Sequence, residues 1–182
     1  ACGPGTFIGN YKLNNSTGVD ISLKQINFAN EKYFDKGDFF ILDEMPSNLK
    51  KFDCITIIGL LEFLNEKESI DILNYLYSIL NTNGKVVLTT PNYSIFMHVL
   101  EKILNTFGPI NYKNQHINRL NRKKLNNIIR QTNFEKAKIM KIVNVSVFLS
   151  FISISLANKF ENIIEKLFQN KFGFILLGIL KK

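Results

Sequence analysis

The sequence predicts an α/β protein with an open, mostly parallel sheet that has helices on both of its faces. Strand-like runs, several of them nearly continuous stretches of apolar residues, alternate with amphipathic helix-like segments along the chain. Such runs are typical of strands buried on both faces, and their alternation with helices is typical of parallel sheets. The 182 residues, of which 46% are hydrophobic, suffice for one domain, 1–182, around a packed core, which excludes a disordered chain.

Four strand-like runs and a last one near the end of the chain form the predicted sheet. They are Thr17–Asp20, Asp38–Asp43, Asp53–Ile58, Lys85–Thr90 and Phe172–Leu180. Asn83 and Gly84 indicate a turn before the fourth run, and Pro91 ends it.

Helices are predicted over Ser22–Lys32, Glu66–Leu80 and Asn121–Gln131, with Ser22 as an N-cap. The uncharged stretch 142–158 is too short and too rich in serine for a membrane-spanning helix. We interpret it as a buried strand that runs into a core or lid helix, so that 142–171 forms a lid or apolar insertion. A segment that touches a membrane surface peripherally is the alternative.

Composition limits the partners and the compartment. Lys and Arg total 23 against 15 Asp and Glu, and the net charge of +8 favours anionic partners without specifying one. Two cysteines, Cys2 and Cys54, cannot form a disulfide framework, which indicates a cytoplasmic protein. The two cysteines and two histidines lack the paired spacing of a metal site, so no metal is expected.

Three features fall at the predicted carboxyl ends of strands, where open parallel sheets bind ligands. These are the turn Gly3-Pro4-Gly5, the acid Asp20 and the acid Asp43. Glycines let the backbone approach a ligand closely, and an acid after the next strand can accept hydrogen bonds from a ribose diol. Alternatively, each acid is an N-cap of the following helix.

The order of motifs resembles the class I S-adenosylmethionine-dependent methyltransferases. It consists of ACGPGTF, GVDIS, DFFILDEMP, FDCITIIGLLEFL, NTNGKVVLTTPN and NQHINRLNRKKLNNIIRQTNF, and it extends to about Phe134. The resemblance implies a Rossmann-like fold whose last strand lies antiparallel beside the run 85–90. It also implies that the family's first strand lies upstream of Ala1, so that the chain is a fragment trimmed before that strand. Phe63 stands where the family commonly has a histidine.

The resemblance further implies that S-adenosylmethionine is the cofactor and assigns residues to it. Gly3 and Gly5 would line the methionine portion, and Asp20 would hold the ribose hydroxyls. Ile21 would pack on the adenine.

Asp43, with Met45 nearby, would lie beside the adenine amino group, and Asp38 is the alternative acid for that place. Ile58 and Gly59 would flank the transferable methyl group.

His116 is the candidate catalytic residue, because many family members carry a histidine just before their penultimate helix. A base is needed when the methyl acceptor is a hydroxyl or an acidic carbon. A capping or packing role is the alternative for His116. We expect His98 to be an ordinary helix residue, Tyr93 to form a pocket wall and Glu62 to lie at the rim.

The function predicted is methyl transfer to a small-molecule, glycan or lipid acceptor, and nucleic acid is not expected as a partner. A nicotinamide-binding domain is one alternative. The other is a non-catalytic methyltransferase-like module that binds anions through a basic face. That face would consist of Arg119, Arg122, Lys123, Lys124 and Arg130.

Overall fold

The structure is a computed structural model, and it describes residues 1–11, 15–46, 51–94, 97–98, 101–102, 106, 116–143, 150, 153–168 and 172–182. The chain divides into two compact units, Ala1–Lys50 and Lys51–Lys182. The elements of both units alternate strand and helix, so the predicted α/β class is confirmed.

The first unit contains two helices and a two-stranded parallel sheet. Its elements are α1 (Thr6–Asn10), β1 (Ser16–Asp20), α2 (Leu23–Lys32) and β2 (Gly37–Ile41), followed by a 3₁₀ turn at Leu42–Glu44. Ser16 lies opposite Gly37 and Asp20 opposite Ile41, so both strands end at the same edge. A small core of Ile26, Ala29 and Phe39 joins α2 to the sheet.

The ring of Phe39 explains two glycines of this unit. A Cβ at Gly5 would lie 2.7 Å from Cε1 of Phe39, and one at Gly18 would lie 2.6 Å from its Cδ1. Gly5 also has a left-handed φ of 71°, which side chains rarely adopt. The small core therefore depends on the same glycine turn that the sequence places at the binding edge.

The second unit contains a four-stranded sheet and its helices. The elements are β3 (Phe52–Ile58), a 3₁₀ turn at Leu61–Phe63, α3 (Glu66–Ile79), β4 (Leu80–Pro91), α4 (Arg122–Arg130), β5 (Lys136–Ile142), α5 (Ile154–Phe168) and β6 (Ile175–Lys181). The strand order is β3-β4-β6-β5. The strands β3 and β4 are parallel, whereas β6 is antiparallel to both β4 and β5. The prediction of an antiparallel last strand beside the run 85–90 is confirmed.

Apolar residues place β6 in the interior of this sheet. Its side chains alternate between partly and fully buried, and Leu176 and Leu180 are completely buried. They belong to a core that also takes in Leu88 of β4 and Ile139 of β5.

Both ends of α3 are closed by specific hydrogen bonds. Asn65 and Glu68 form a capping box, in which each side chain accepts the backbone N–H of the other residue. At the other end, Nζ of Lys182 donates to the carbonyls of Tyr77 and Leu80. These contacts satisfy backbone groups that a helix leaves unpaired.

Several predicted element boundaries differ from the structure by one to five residues. β4 already begins at Leu80, and the predicted Asn83-Gly84 turn is a bulge inside this strand. The register against β3 shows the bulge, because Phe52 lies opposite Leu80 but Cys54 lies opposite Lys85. Asn83 has a left-handed φ of 65°. β2 ends at Ile41, so Asp43 lies beyond the strand.

The start of α2 lies where the sequence predicts it, but the expected capping contact is missing. Ser22 occupies the N-cap position, but its side chain makes no capping hydrogen bond.

The region predicted as a lid or apolar insertion, 142–171, is described only in part. β5 ends at Ile142, residues 144–149, 151–152 and 169–171 lie outside the described residues, and α5 begins at Ile154. Ile154, Leu156, Phe160 and Ile163 of α5 are exposed. Among the described helices, none is long and apolar enough to cross a membrane. The lid itself stays a prediction.

Candidate active site

Asp20 is the best-organised acid of the first unit. The Gly3 N–H donates to its Oδ2 over 2.8 Å, and the Ser22 N–H donates to its Oδ1 over 3.0 Å. Gly3 has a left-handed φ of 55°, a backbone conformation that glycine adopts without strain. Asp20 is not the N-cap of α2, since Ser22 holds that position.

The two contacts leave acceptor capacity on the Asp20 carboxylate. Each carboxylate oxygen has two lone-pair sites, of which one is used here by a backbone N–H. The side chain is 13% exposed, so it is fixed without being sealed off. Such a carboxylate can accept two further hydrogen bonds from neighbouring hydroxyls.

The other predicted residues of the first unit lie at the same edge. Ile21 follows β1 directly and is 81% exposed, so its apolar side chain is open to a ligand. Asp43 and the half-buried Met45 follow β2 at the same end at which Asp20 is the last residue of β1. Asp38, by contrast, pairs with Thr17 near the beginning of the strands. Of the two acids that the sequence left as alternatives, Asp43 thus lies at the Asp20 end of the strands and Asp38 lies near the other end.

In the second unit, the end of β3 presents Ile58 and Gly59. Ile58 is 48% exposed, and Gly59 has a φ of 65°. The Gly59 N–H donates to the carbonyl of Thr89, which ties the ends of β3 and β4 together. A Cβ on Gly59 would approach Oε1 of Glu62 to 3.3 Å, so the side of Gly59 is lined by a carboxyl group.

Glu62 is buried rather than placed at an open rim. It is 4% exposed, and Oγ1 of Thr90 donates to its Oε2 over 3.1 Å. Burial raises the pKa of the Glu62 carboxyl above its ordinary value, and this outweighs the lowering effect of hydrogen bonds, including that from Thr90. The Asn118 N–H donates to the Glu62 carbonyl, which holds the segment before α4 against the end of β3.

Tyr93 and His116 are in direct contact. The phenol oxygen of the buried Tyr93 is hydrogen-bonded to Nδ1 of His116, and the Tyr93 N–H donates to the carbonyl of Leu120. The edge of the Phe63 ring also meets His116, with 5.3 Å between centroids. His98 is helical and exposed, as expected, although its ring lies beside Tyr93.

An ion pair that the sequence does not indicate lies next to this contact. Nη2 of Arg119 donates to Oε1 of the buried Glu101 over 3.0 Å, and the guanidinium lies 5.8 Å from the centroid of the Tyr93 ring. Arg119 therefore does not belong to the basic face of α4. The remaining four basic residues of that face, Arg122, Lys123, Lys124 and Arg130, are exposed.

The surroundings shift the titration of both rings. Burial, followed by the negative charge of Glu101, raises the pKa of Tyr93 to about 12. Burial lowers the pKa of His116 below its ordinary value, and the charges of Glu101 and Arg119 act on it in opposite directions. At neutral pH both rings are uncharged.

The sequence did not point to three residues that contact the candidate residues or lie beside them: Thr90, which contacts Glu62, and the pair Glu101 and Arg119 beside Tyr93. Thr90 precedes Pro91 in the Thr-Pro-Asn segment and could have been found there. Nothing in the sequence pairs Glu101 with Arg119. Within the described part of the chain, no group of three or more His, Cys, Asp or Glu side chains could hold a metal ion.

Comparison with known proteins identifies the family. A family model described as a methyltransferase domain matches residues 1–139. The chain belongs to the methyltransferase domain family. The resemblance to the class I S-adenosylmethionine-dependent methyltransferases is thereby confirmed, and the nicotinamide-binding alternative is not supported. A search of curated proteins finds no match.

Solved structures of methyltransferases share the fold. A SAM-dependent methyltransferase from Archaeoglobus fulgidus is 22% identical with a TM-score of 0.63, over 100% of this chain and 83% of that one. The plantazolicin methyltransferase BamL, in complex with a triazolic desmethylPZN analog and SAH, is 19% identical with a TM-score of 0.65, over 100% and 74%. Magnesium protoporphyrin IX methyltransferase from Synechocystis PCC 6803, with bound SAH, is 14% identical with a TM-score of 0.60, over 100% and 71%. The Rossmann-like fold of the family is thus confirmed.

Proposed function

We propose that this methyltransferase-family chain binds S-adenosylmethionine and transfers its methyl group to a small-molecule acceptor. The observation that carries the proposal is the Asp20 carboxylate, which two backbone N–H groups hold at the carboxyl end of β1. The family match and the SAH bound in two similar structures support the choice of cofactor. Plantazolicin analogs and protoporphyrin in the names of those proteins favour a small molecule over a glycan or a lipid.

In the first unit, the proposal gives each edge residue one task. Asp20 accepts the two ribose hydroxyls, and Gly3 and Gly5 let the backbone approach the methionine portion. Ile21 covers one face of the adenine, since it offers an exposed apolar side chain directly after Asp20. Asp43 accepts from the adenine amino group, with Met45 beside it.

In the second unit, Ile58 and Gly59 flank the methyl group and His116 contacts the acceptor substrate. Methyl transfer from a sulfonium needs the nucleophile, the methyl carbon and the leaving sulfur in line, so positioning supplies much of the rate enhancement. We place the reaction in the cytoplasm, because Cys2 and Cys54 are both free.

The test of the cofactor site is Asp20→Ala, with calorimetric titration of S-adenosylmethionine and S-adenosylhomocysteine. Charge-assisted hydrogen bonds contribute roughly 1.5–3 kcal/mol each, and about 1.4 kcal/mol corresponds to tenfold in affinity. We expect Asp20→Ala to weaken binding at least about tenfold, and Asp20→Asn to weaken it less because one acceptor oxygen remains. Asp35→Ala is the control, since Asp35 is an exposed acid of the same unit whose ion-pair partner is the neighbouring Lys36. Wild-type affinity in a folded Asp20→Ala variant would contradict the ribose assignment.

A second pair of variants tests the adenine side. Asp43 follows β2 at the Asp20 edge, whereas Asp38 lies near the start of the strand. We expect Asp43→Asn to weaken cofactor binding and Asp38→Asn to leave it unchanged in the same titration. The reverse result would move the adenine contact to Asp38 and show that the cofactor does not follow the carboxyl edge.

A further inference from the structure

Four side chains form a continuous polar chain beside the predicted catalytic histidine. Glu101 accepts from Arg119, the Arg119 guanidinium lies over the ring of Tyr93, and the Tyr93 phenol is hydrogen-bonded to Nδ1 of His116. Glu101 and Tyr93 are both buried, so the chain is fixed by packing as well as by its contacts. In such a network each proton needs a defined acceptor.

The phenol of Tyr93 has one proton to donate, and its neighbours determine where that proton goes. The guanidinium of Arg119, which lies 5.8 Å from the centroid of the Tyr93 ring, is only a donor, so it cannot accept the phenol proton. With a pKa of about 12, Tyr93 keeps this proton at neutral pH. Among the described residues, the acceptor in contact with the phenol oxygen is Nδ1 of His116.

We propose that Tyr93 is a positioning residue that donates to Nδ1 of His116 and so fixes His116 as the tautomer with its hydrogen on Nε2. A neutral imidazole has one donor and one acceptor nitrogen, so occupation of Nδ1 as the acceptor leaves Nε2 as the donor. This inference deepens the proposed function, on which it rests for the role of His116 toward substrate.

The consequence concerns the chemistry of the substrate. In this tautomer Nε2 of His116 carries the hydrogen, so this nitrogen is a donor and cannot serve as a general base. A substrate that contacts Nε2 of His116 therefore presents a hydrogen-bond-accepting atom there, such as a carbonyl, carboxylate or phenolate oxygen. A proton lost from an acceptor hydroxyl or amine on methylation goes to solvent and not to this ring.

The tautomer can be measured by long-range ¹H–¹⁵N NMR on the ¹⁵N-labelled protein, because protonated and unprotonated ring nitrogens have different shifts. The chain has two histidines, and His116→Ala identifies which signals belong to His116. We expect a neutral His116 with its hydrogen on Nε2 at pH 7, and the exposed His98 as the internal reference. A His116 that carries its hydrogen on Nδ1 would overturn the proposal.

The matched variant is Tyr93→Phe, which removes the hydroxyl and keeps the ring that packs against His98, His116 and Arg119. A donor to Nδ1 stabilises the neutral ring, so its loss raises the pKa of His116 toward the ordinary value. We expect that rise, together with a mixture of the two tautomers, in the folded variant. The charged and titratable groups around the pair, Glu101, Arg119, Glu62 and His98, are unchanged in it.

An unchanged His116 spectrum in Tyr93→Phe would show that Tyr93 does not set the tautomer. This readout requires neither cofactor nor substrate. Failure of the tautomer proposal is therefore separate from failure of the methyltransferase proposal, which the titration of S-adenosylmethionine decides.

Discussion

Two carboxyl groups of this chain show how local surroundings suit a residue to different roles. Asp20 receives two backbone N–H groups and keeps some exposure, so its side chain is fixed and still accessible to a ligand. Glu62 is buried with one hydroxyl donor, from Thr90, and burial raises its pKa. The first is suited to accept hydrogen bonds from a ligand, whereas the second stabilises the fold best when it carries its proton.

Glu62→Gln tests this at the level of stability. Burial raises the pKa of Glu62 in the folded state, whereas in the unfolded state the pKa is about 4.3. Below both pKa values the carboxyl is protonated in both states and does not reduce the free energy of unfolding. As pH rises from about 4.3 through the raised pKa, the free energy of unfolding falls. Glutamine does not titrate but keeps an oxygen that accepts from Thr90. We expect melting temperatures of the two proteins to be similar at about pH 4 and to diverge in favour of the variant toward neutral pH. A difference that is independent of pH would mean that Glu62 is not the titrating group.

Gly3 and Gly59 form a matched pair for the effect of a side chain. Both have left-handed φ angles, of 55° and 65°, but a Cβ at Gly3 meets nothing within 4 Å while one at Gly59 lies 3.3 Å from Glu62. Each alanine variant should lose about 1–2 kcal/mol from backbone conformation alone. We expect Gly59→Ala to lower the free energy of unfolding in urea more than Gly3→Ala does. Equal losses would show that the Glu62 side chain moves away from the new Cβ without destabilising the fold.

At the scale of elements, local patterns predicted what local interactions decide. The apolar stripe of α3 predicted the helix to within one residue of its observed end, and the strands β1 and β3 followed from their apolar runs. The bulge in β4 could not be predicted, because it depends on the register against β3. The contact between Tyr93 and His116 was hidden for the same reason, since tertiary packing brings the two residues together.

Lys181 of β6 is flanked by a lysine on each neighbouring strand. It lies opposite Lys85 of β4 and opposite Lys136 of β5. Like charges directly opposite in a sheet destabilise it, by roughly 0.2–1 kcal/mol per pair. We expect Lys181→Gln to raise the melting temperature at low ionic strength, and the gain to disappear in high salt.

The control for this variant is Lys138→Gln, which removes the same charge from the same sheet. Lys138 lies opposite Ile179, so its removal relieves no facing lysine. An equal gain from both variants would attribute the effect to the net charge of +8 rather than to the register of the lysines.

At the scale of the whole molecule, the two units differ in the size of their cores. Among the residues that the structure describes, three buried residues form the core of the first unit, whose sheet has two strands, while fifteen form the core of the second. Regions with few buried contacts open at lower free energy. We expect the amides of β1 and β2 to exchange hydrogen faster than those of β4 and β6, as measured by mass spectrometry.

Cofactor binding should slow the hydrogen exchange of amides in the first unit. A ligand that binds only the folded state stabilises what it binds, so S-adenosylhomocysteine should slow exchange around Gly3 and Ser22. In Asp20→Ala, which lacks the carboxylate that both amides contact, we expect the slowing to be lost. Protection that persists in the variant would place the ligand elsewhere.

The position of β6 between β4 and β5 also bears on how the protein is made. While the chain emerges from the ribosome, β4 can pair with β3, but its other edge stays open until β6 has been synthesised. An open apolar strand edge invites pairing with other chains, and nascent chains in this state are exposed to aggregation. Translation that stops before Ile175 would leave that edge without its partner, so we expect such products to be bound by chaperones or degraded.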